Sequence, residues 1–406
     1  MNVTITPELL SGTIRPPASK SQAHRLIIAA ALAQGESRIS YVNNSQDISA
    51  TLQCMEALGA TFQWLDNTTL SISGISAGNG ALMDCGESGS TLRFLIPVAL
   101  AVQGGGTFRG HGRLMGRPQE PYFEIFREKG IAWEKQGDTL TVSGTLTPGT
   151  YRLRGDVSSQ FITGLLYALP LLGGDSEIVL TTKLESSGYI DMTLEALRQF
   201  GVSVTRTETG WHVPGNQTYL ACDSAVEADF SQSGFFYAMA GMGNDLNITG
   251  LNPESAQGDR IVIPYMQQLN GSGEITLDVR ECPDLVPPLA ARSALRPGQT
   301  THIVNAGRLR IKESDRLASV TAVLNAMGAD IEEHPDSLTI HGKESLAGGV
   351  TVDSWNDHRI AMMAAAAATK CKAPITITNA QCVRKSYPGF WEDYIALGGQ
   401  IQKEEP

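Results

Sequence analysis

The chain has 406 residues, 42% of them hydrophobic and 18% charged, which allows two or three substantial cores and excludes a disordered or fibrous protein. A formal charge of -11 excludes nucleic-acid binding by overall basicity, although it leaves local basic patches open. Six cysteines without a Cys-x-x-Cys pair, no basic-then-apolar leader and no apolar run near the roughly 20 residues of a membrane span point to a reducing, cytoplasmic setting without a membrane partner.

Residues 3–6 predict a leading strand. Residues 17–25, Pro-Ala-Ser-Lys-Ser-Gln-Ala-His-Arg, then read as the start of a buried helix. Such a start offers unpaired N–H groups and the positive end of a dipole, here joined by Lys20 and Arg25, which suits an anion. A capped helix with a solvated lysine is the plainer alternative. The pattern recurs, however, at Ser88-Gly89-Ser90, Ser158-Ser159-Gln160, Asp229-Phe230-Ser231, Asp284-Leu285-Val286 and Asn356-Asp357-His358-Arg359. From Ser21 through Ser90, Ser159, Ser231 and Asp284 to Asp357 the steps are 69, 69, 72, 53 and 73 residues. Each member opens an apolar helix, as at 92–102 and 360–368, of the kind buried inside a domain.

A second series places a glycine at a helix end before a short strand, such as Val202-Ser203-Val204. Its members are Gly59, Gly130, Gly201, Gly271, Gly328 and Gly398, at intervals of 71, 71, 70, 57 and 70. Left-handed caps are expected at these glycines. The helices before them, such as 119–129, are amphipathic and belong outside. Both series shorten between their fourth and fifth members. Six α/β units with two helices each follow, divided three and three between two domains, with a boundary near Pro214-Gly215-Asn216 and before Asp229.

Familiar nucleotide motifs fail on inspection. Ser19-Lys20-Ser21 imitates the end of a P-loop, but Ser19 and Ile14 occupy its glycine positions. Gly110-His111-Gly112 begins like a dinucleotide fingerprint until Met115 replaces the third glycine. No histidine or cysteine pair has zinc spacing, so no metal and no cofactor are expected. His24 and His358 suit hydrogen-bonding or packing roles at helix starts. Two further stretches stay open. Lys312-Glu313-Ser314-Asp315-Arg316 reads equally as a solvated helix start or as part of a site, and the glycine-rich, basic residues 110–118 form either a surface loop or a lid over anions.

Seven motifs taken together carry a resemblance. They are Ser19-Lys20-Ser21 with Arg25, Gly89-Ser90-Thr91-Leu92-Arg93, Gly116-Arg117-Pro118, Ser158-Ser159-Gln160, Lys312-Glu313-Ser314-Asp315-Arg316, Asn356-Asp357-His358-Arg359 and Lys385-Ser386-Tyr387-Pro388. In this order they resemble the 5-enolpyruvylshikimate-3-phosphate synthase family, enolpyruvyl transferases of the shikimate pathway to chorismate and aromatic amino acids. The resemblance runs nearly end to end. It implies the two-domain α/β enolpyruvyl transferase fold, with six βαβαββ units, three per domain, and an active site in the interdomain cleft. The domains would be 14–223 and 1–13 plus 224–406, with hinges near 12–15 and 221–226 and the leading strand in the C-terminal domain.

The resemblance further implies transfer of the carboxyvinyl group of phosphoenolpyruvate to the 5-hydroxyl of shikimate 3-phosphate, by a protein expected to be a monomer. Lys20, Ser21, Arg25, Ser158, Ser159, Gln160, Ser186, Tyr189, Asp284 and Lys312 would surround shikimate 3-phosphate. Lys20, Gly89, Arg93, Arg117, Gln160, Arg316, Arg359 and Lys385 would surround phosphoenolpyruvate. Asp284 is the expected base on the hydroxyl, with Glu313 and Lys20 or Lys385 as proton donors and stabilisers. Eight cations (Lys20, Arg25, Arg93, Arg117, Lys312, Arg316, Arg359, Lys385) less Asp284 and Glu313 give an expected site charge of +6, which suits two substrates that each carry a phosphate and a carboxylate. Glu87, Ser90 and Arg308 depart from the family pattern, the first two beside the pocket at which glyphosate competes in the family. A sister transferase acting on UDP-N-acetylglucosamine typically carries a reactive lid cysteine, which residues 109–118 lack. A non-catalytic anion-binding scaffold would not need Asp284 and Glu313.

Overall fold

The structure, a computed structural model, describes residues 1–76, 78 and 80–405. The chain forms two compact units, one of Ala18–Glu227 and one that joins Met1–Pro17 to the chain from Ala228 onward. Each has its own apolar core. At the centre of the first lie helices Lys20–Leu32, Gly89–Gln103 and Ser159–Ala168, and at the centre of the second Phe230–Gly241, Val286–Ala294 and His358–Ala368. Residues around the whole circumference of these helices are buried, as their unbroken apolar sequences require.

Among the described residues five four-stranded sheets share one pattern, a parallel pair followed by two antiparallel strands. In one of them Gly149–Leu153 runs parallel to Ser176–Leu180, which pairs antiparallel with Gly210–Val213, and that in turn with Thr205–Arg206. The sixth sheet has only the parallel pair, Ser11–Ile14 beside Asp245–Ile248. The chain there passes from helix Val262–Gln268 straight to the first strand of the next sheet, Ile275–Asp278. Loss of the antiparallel hairpin is therefore the physical content of the short fourth interval.

Sheets also borrow strands across long sequence distances. The leading strand Asn2–Thr6 lies between Ile375–Thr378 and Gln400–Glu404 in the second unit, antiparallel to both. Ser224–Ala225 runs parallel to Glu36–Ser40 in the first.

Five of the six expected helix starts are capped by a side chain. Ser19, Ser88, Ser158, Asp229 and Asp357 accept hydrogen bonds from the backbone N–H groups of Gln22, Thr91, Gln160, Gln232 and Arg359. The start at Asp284 differs. A 3-10 turn, Pro283–Leu285, leads into Val286–Ala294 without a side-chain cap. Of the two N–H positions within capping reach of Asp284, that of Val286 donates to the Pro283 carbonyl and Pro287 has none, so the Asp284 carboxylate turns to other partners.

Two sequence expectations need correction. Val202-Ser203-Val204 is not a strand; the strand is Thr205–Arg206. The Gln217 amide accepts from the Ser203 N–H at 2.7 Å and donates to the Ser203 carbonyl at 2.9 Å, taking the bonds that a sheet neighbour would make. Gly59, Gly130, Gly201, Gly328 and Gly398 have positive φ as expected, but Gly271 does not. At that helix end Arg292 and Arg296 donate to the Leu269 carbonyl, and Arg296 also to that of Gly271. Arginines thus satisfy the carbonyls that a left-handed cap would serve elsewhere.

Candidate active site

In the Ala18–Glu227 unit, Lys20 is the first residue of its helix, and its ammonium lies 2.6 Å from Asp47. Asp47 sits in the first turn of helix Gln46–Ala57, where an acidic group is favoured by the dipole. One turn beyond Lys20, Arg25 is only 2% exposed. It donates to the Ser21 carbonyl at 2.6 Å, the Tyr189 carbonyl at 2.9 Å and Thr193 Oγ1 at 2.9 Å. Burial lowers its pKa to about 10, against the opposing influence of Tyr167 and Tyr189. Ser186, two residues before Gly188 and at the mouth of helix Ser187–Gln199, holds φ of 59°, a left-handed conformation unusual for serine. Between these groups His24 begins a buried chain of hydrogen bonds through Thr51 and Thr91 to Ser88.

The Gly89 helix positions a second cluster. Arg93 donates to Gln160 Oε1 and to the Pro118 carbonyl, both at 2.8 Å, and its guanidinium lies 4.7 Å from the Phe161 ring centroid. Gln160 in turn donates to Ser90 Oγ at 3.0 Å. Pro97 stands inside this helix and cannot donate to the Arg93 carbonyl four residues back. Tyr122 Oη supplies the missing donor at 2.6 Å, and Gly164 makes room for it, since a Cβ there would lie 2.3 Å from Tyr122 Oη. Arg117 lies across Gly89, where a Cβ would come within 2.6 Å of Nη1. The segment that carries it, residues 110–118, is anchored rather than free. His111 meets Asp84 at 2.9 Å, and the Lys135 ammonium donates to the Met115 carbonyl.

In the other unit a single buried guanidinium organises three carboxylates. Arg316, 1% exposed, donates to Asp357 Oδ2 at 2.8 Å, Asp284 Oδ1 at 2.7 Å and Glu313 Oε2 at 2.7 Å. Burial opposes its charge, but Asp357, Glu313 and Asp284 outweigh that and push its pKa well above the ordinary value. Arg359 reaches the other oxygen of Asp284 at 3.0 Å, and Lys312 lies 3.6 Å from Oδ1. Burial lowers the Lys312 pKa below the usual lysine value, against the opposing influence of Asp284. Lys385 donates to the Asn356 carbonyl at 2.6 Å. Asp357 is fully buried, accepts from Ser314 Oγ at 2.9 Å and caps its own helix. Burial alone would raise its pKa; Arg316 overrides this and holds the carboxyl below its ordinary range.

The family profile described as EPSP synthase (3-phosphoshikimate 1-carboxyvinyltransferase) matches residues 5–394. The chain belongs to the EPSP synthase family. Curated proteins named 3-phosphoshikimate 1-carboxyvinyltransferase are similar along almost their entire length. That of Clostridium kluyveri is 46% identical, covering 99% of this chain and 98% of the relative, and that of Clostridioides difficile is 43% identical with the same coverage. In three dimensions the chain is similar to the EPSP synthase of Acinetobacter baumannii (TM-score 0.81, 24% identity, 99% of this chain and 100% of that one). It is also similar to the enolpyruvyl transferase NikO of Streptomyces tendae (TM-score 0.79, 17% identity, 99% and 98%). The enolpyruvyl transferase fold expected from the sequence is therefore borne out.

Within this EPSP synthase framework the expected cations fall into two groups, one in each unit. Lys20, Arg25, Arg93 and Arg117 belong to Ala18–Glu227, with Ser21, Ser158, Ser159, Gln160, Ser186, Tyr189 and Gly89; Lys312, Arg316, Arg359 and Lys385 belong to the other unit with Asp284 and Glu313. Two carboxylates had escaped sequence reasoning. Asp47 looks like an ordinary first-turn acid 27 residues from Lys20, and Asp357 reads as a cap until Arg316 is seen against it. Counting both changes the expected +6. The first group becomes +3 (four cations less Asp47) and the second +1 (four less Asp284, Glu313 and Asp357). Arg308, a departure from the family, donates to the Arg280 carbonyl at 2.6 Å.

Proposed function

We propose that this chain transfers the carboxyvinyl group of phosphoenolpyruvate to the 5-hydroxyl of shikimate 3-phosphate, releasing phosphate, with the residues of both units serving one pair of substrates. The observation that supports the residue roles best is the Asp284 carboxylate. It does not cap the helix that follows it and is gripped by Arg316 and Arg359 on separate oxygens. A carboxylate so paired has both oxygens occupied by cations. In this reading an incoming anion exchanges for Asp284 as the partner of Arg359, and the released oxygen accepts the proton of the substrate hydroxyl. Glu313 then faces the cationic character that develops when the methylene carbon is protonated, and Lys20 or Lys385 delivers that proton.

Arg93 and Arg117, aligned by Gln160, Pro118 and Gly89, would hold phosphoenolpyruvate together with Arg316 and Arg359. Ser158, Ser159, Ser186 and Tyr189, beside Arg25 and Ser21, would hold shikimate 3-phosphate with Lys312. Charge-assisted hydrogen bonds of about 1.5–3 kcal/mol each would dominate both affinities. Hinges would lie at the two crossings between the compact units, after Pro17 and after Glu227, a few residues beyond the expected 12–15 and 221–226, which include residues paired in the sheets of Ser11–Ile14 and Ser224–Ala225. Six free thiols, five of them buried, favour a reducing cytoplasmic setting. A monomer remains the proposed state.

The test is phosphate release from phosphoenolpyruvate in the presence of either acceptor. Release with shikimate 3-phosphate alone is expected. Release only with UDP-N-acetylglucosamine would transfer the chain to the sister activity, and release with neither would leave an anion-binding scaffold.

A further inference from the structure

Within Ala18–Glu227 three helices meet along a buried polar seam that no substrate role accounts for. Lys20 and His24 lie one turn apart on helix Lys20–Leu32, and facing them Asp47 and Thr51 lie one turn apart on helix Gln46–Ala57. They pair as two rungs, Lys20 with Asp47 at 2.6 Å and His24 Nδ1 with Thr51 Oγ1 at 2.8 Å. The second rung reaches a third helix. Thr51 Oγ1 lies 2.7 Å from Thr91 Oγ1, and Thr91 Oγ1 donates to Ser88 Oγ at 2.7 Å. His24, Thr51, Thr91 and Ser88 are at most 1% exposed, so bulk water does not compete for these bonds.

Each hydroxyl has a single proton to give, and this fixes the order of the chain. Thr91 gives its proton to Ser88, and its longer contact, 3.5 Å to the Asp47 carbonyl, also casts it as the donor. Thr51 must therefore donate to Thr91, which leaves only lone pairs on the side of His24. The ring proton of His24 thus sits on Nδ1. Burial first, and then the charges of Lys20 and Arg25, lower the His24 pKa well below 6.5 and keep the ring neutral. Its Nε2 is then a bare lone pair, and it is the ring nitrogen without a partner among the described residues.

The two ends of this chain belong to two helix starts. His24 stands on the helix that begins with Lys20, next to Arg25. Ser88 caps helix Gly89–Gln103 by accepting from the Thr91 N–H at 3.2 Å. That helix opens with Gly89, crossed by the Arg117 guanidinium, and carries Arg93 one turn on. The His24 and Phe94 rings, with centroids 6.4 Å apart and planes at 88°, join the same two helices again. We propose that His24, Thr51 and Thr91 are positioning residues for the phosphoenolpyruvate end of the site, holding Ser88 as the cap that sets the Gly89 turn and the aim of Arg93. The inference rests on the reading that Gly89 and Arg93 hold phosphoenolpyruvate. A merely structural seam would serve stability without favouring either substrate.

Steady-state kinetics of the full chain as parent, Thr51→Val and Thr51→Ser test this. Valine keeps the shape and breaks the chain, whereas serine keeps the hydroxyl. In Thr51→Val the KM for phosphoenolpyruvate is expected to rise about tenfold, as loss of one hydrogen bond implies, with kcat and the KM for shikimate 3-phosphate changing far less. Thr51→Ser is expected to return it towards the parent value. Nitrogen-15 spectra of the parent, with the His24 ring identified by its loss in His24→Asn, provide a second measurement, and a protonated Nδ1 with a bare Nε2 is expected. The opposite tautomer overturns the proposal, as does a Thr51→Val protein whose phosphoenolpyruvate KM stays at the parent value or rises only in step with the other. A parent without turnover counts against the substrate reading instead, and the tautomer, read without substrate, still tests the chain.

Discussion

Asp284 illustrates how a residue's neighbours decide its chemistry. Asp284→Asn keeps the shape and removes the charge, leaving Arg316 and Arg359 with one carboxylate fewer. If Asp284 takes the hydroxyl proton, kcat falls by about 10²–10⁴-fold, the ordinary worth of a general base. Steady-state kinetics that leave kcat within a few-fold of the parent would remove Asp284 from the role of base. Of the cations of this cluster, Arg359 was legible at one of the recurring helix starts, whereas Lys312, Arg316 and Lys385 were named only through the motifs that carry the family resemblance. Asp284 and Glu313 were named as counter-charges, but Asp47 and Asp357 were not. Asp47 reaches Lys20 from another helix, and Asp357 carries a cap and an ion pair at once, a double duty visible only when Arg316 is seen beside it. Nor does sequence announce that Pro97, which withholds one N–H, is answered by the hydroxyl of Tyr122.

At the scale of elements, helix Lys20–Leu32 carries a titration that should be measurable. His24 is fully buried, and desolvation, helped by the charges of Lys20 and Arg25, holds its pKa well below 6.5. As pH falls, the unfolded chain therefore takes up this proton before the folded one. The stabilisation is complete above pH ~6.5 and drains as pH drops towards the folded value, by up to about 1.4 kcal/mol per pH unit. Urea unfolding between pH 7 and 5 is expected to show this decline, and His24→Asn, which keeps a hydrogen-bonding group near Thr51, is expected to flatten it. Equal slopes in the two proteins would show that His24 is not responsible. Helix starts were the most readable elements, since a hydroxyl or carboxylate before an apolar run has one obvious use. Edge strands were the least readable. Val202-Ser203-Val204 has strand chemistry, yet the Gln217 amide satisfies its middle residue.

For the whole molecule, the six-unit periodicity was readable because both helix series shorten together, whereas the strands exchanged between distant parts of the chain left no periodic trace. The uneven charge of the two groups, +3 and +1, makes anion binding a large contribution to stability. Shikimate 3-phosphate at 100 times its Kd is expected to raise the unfolding free energy by about 2.7 kcal/mol. Thermal or urea unfolding with and without the ligand measures this, and an unchanged midpoint would contradict specific binding to the folded protein. The borrowed strands also bear on the order of events during synthesis. Ala18–Glu227 has its partners within itself, and Ser19 and Glu227 are joined by a backbone bond of 2.7 Å. It can close on the ribosome soon after Glu227 emerges. Asn2–Thr6 must wait for Ile375–Thr378 and Gln400–Glu404, at about 5–20 residues per second a delay of tens of seconds. During that interval the earliest-made strand of the chain is an unpaired edge, and nascent-chain chaperones would find their client there.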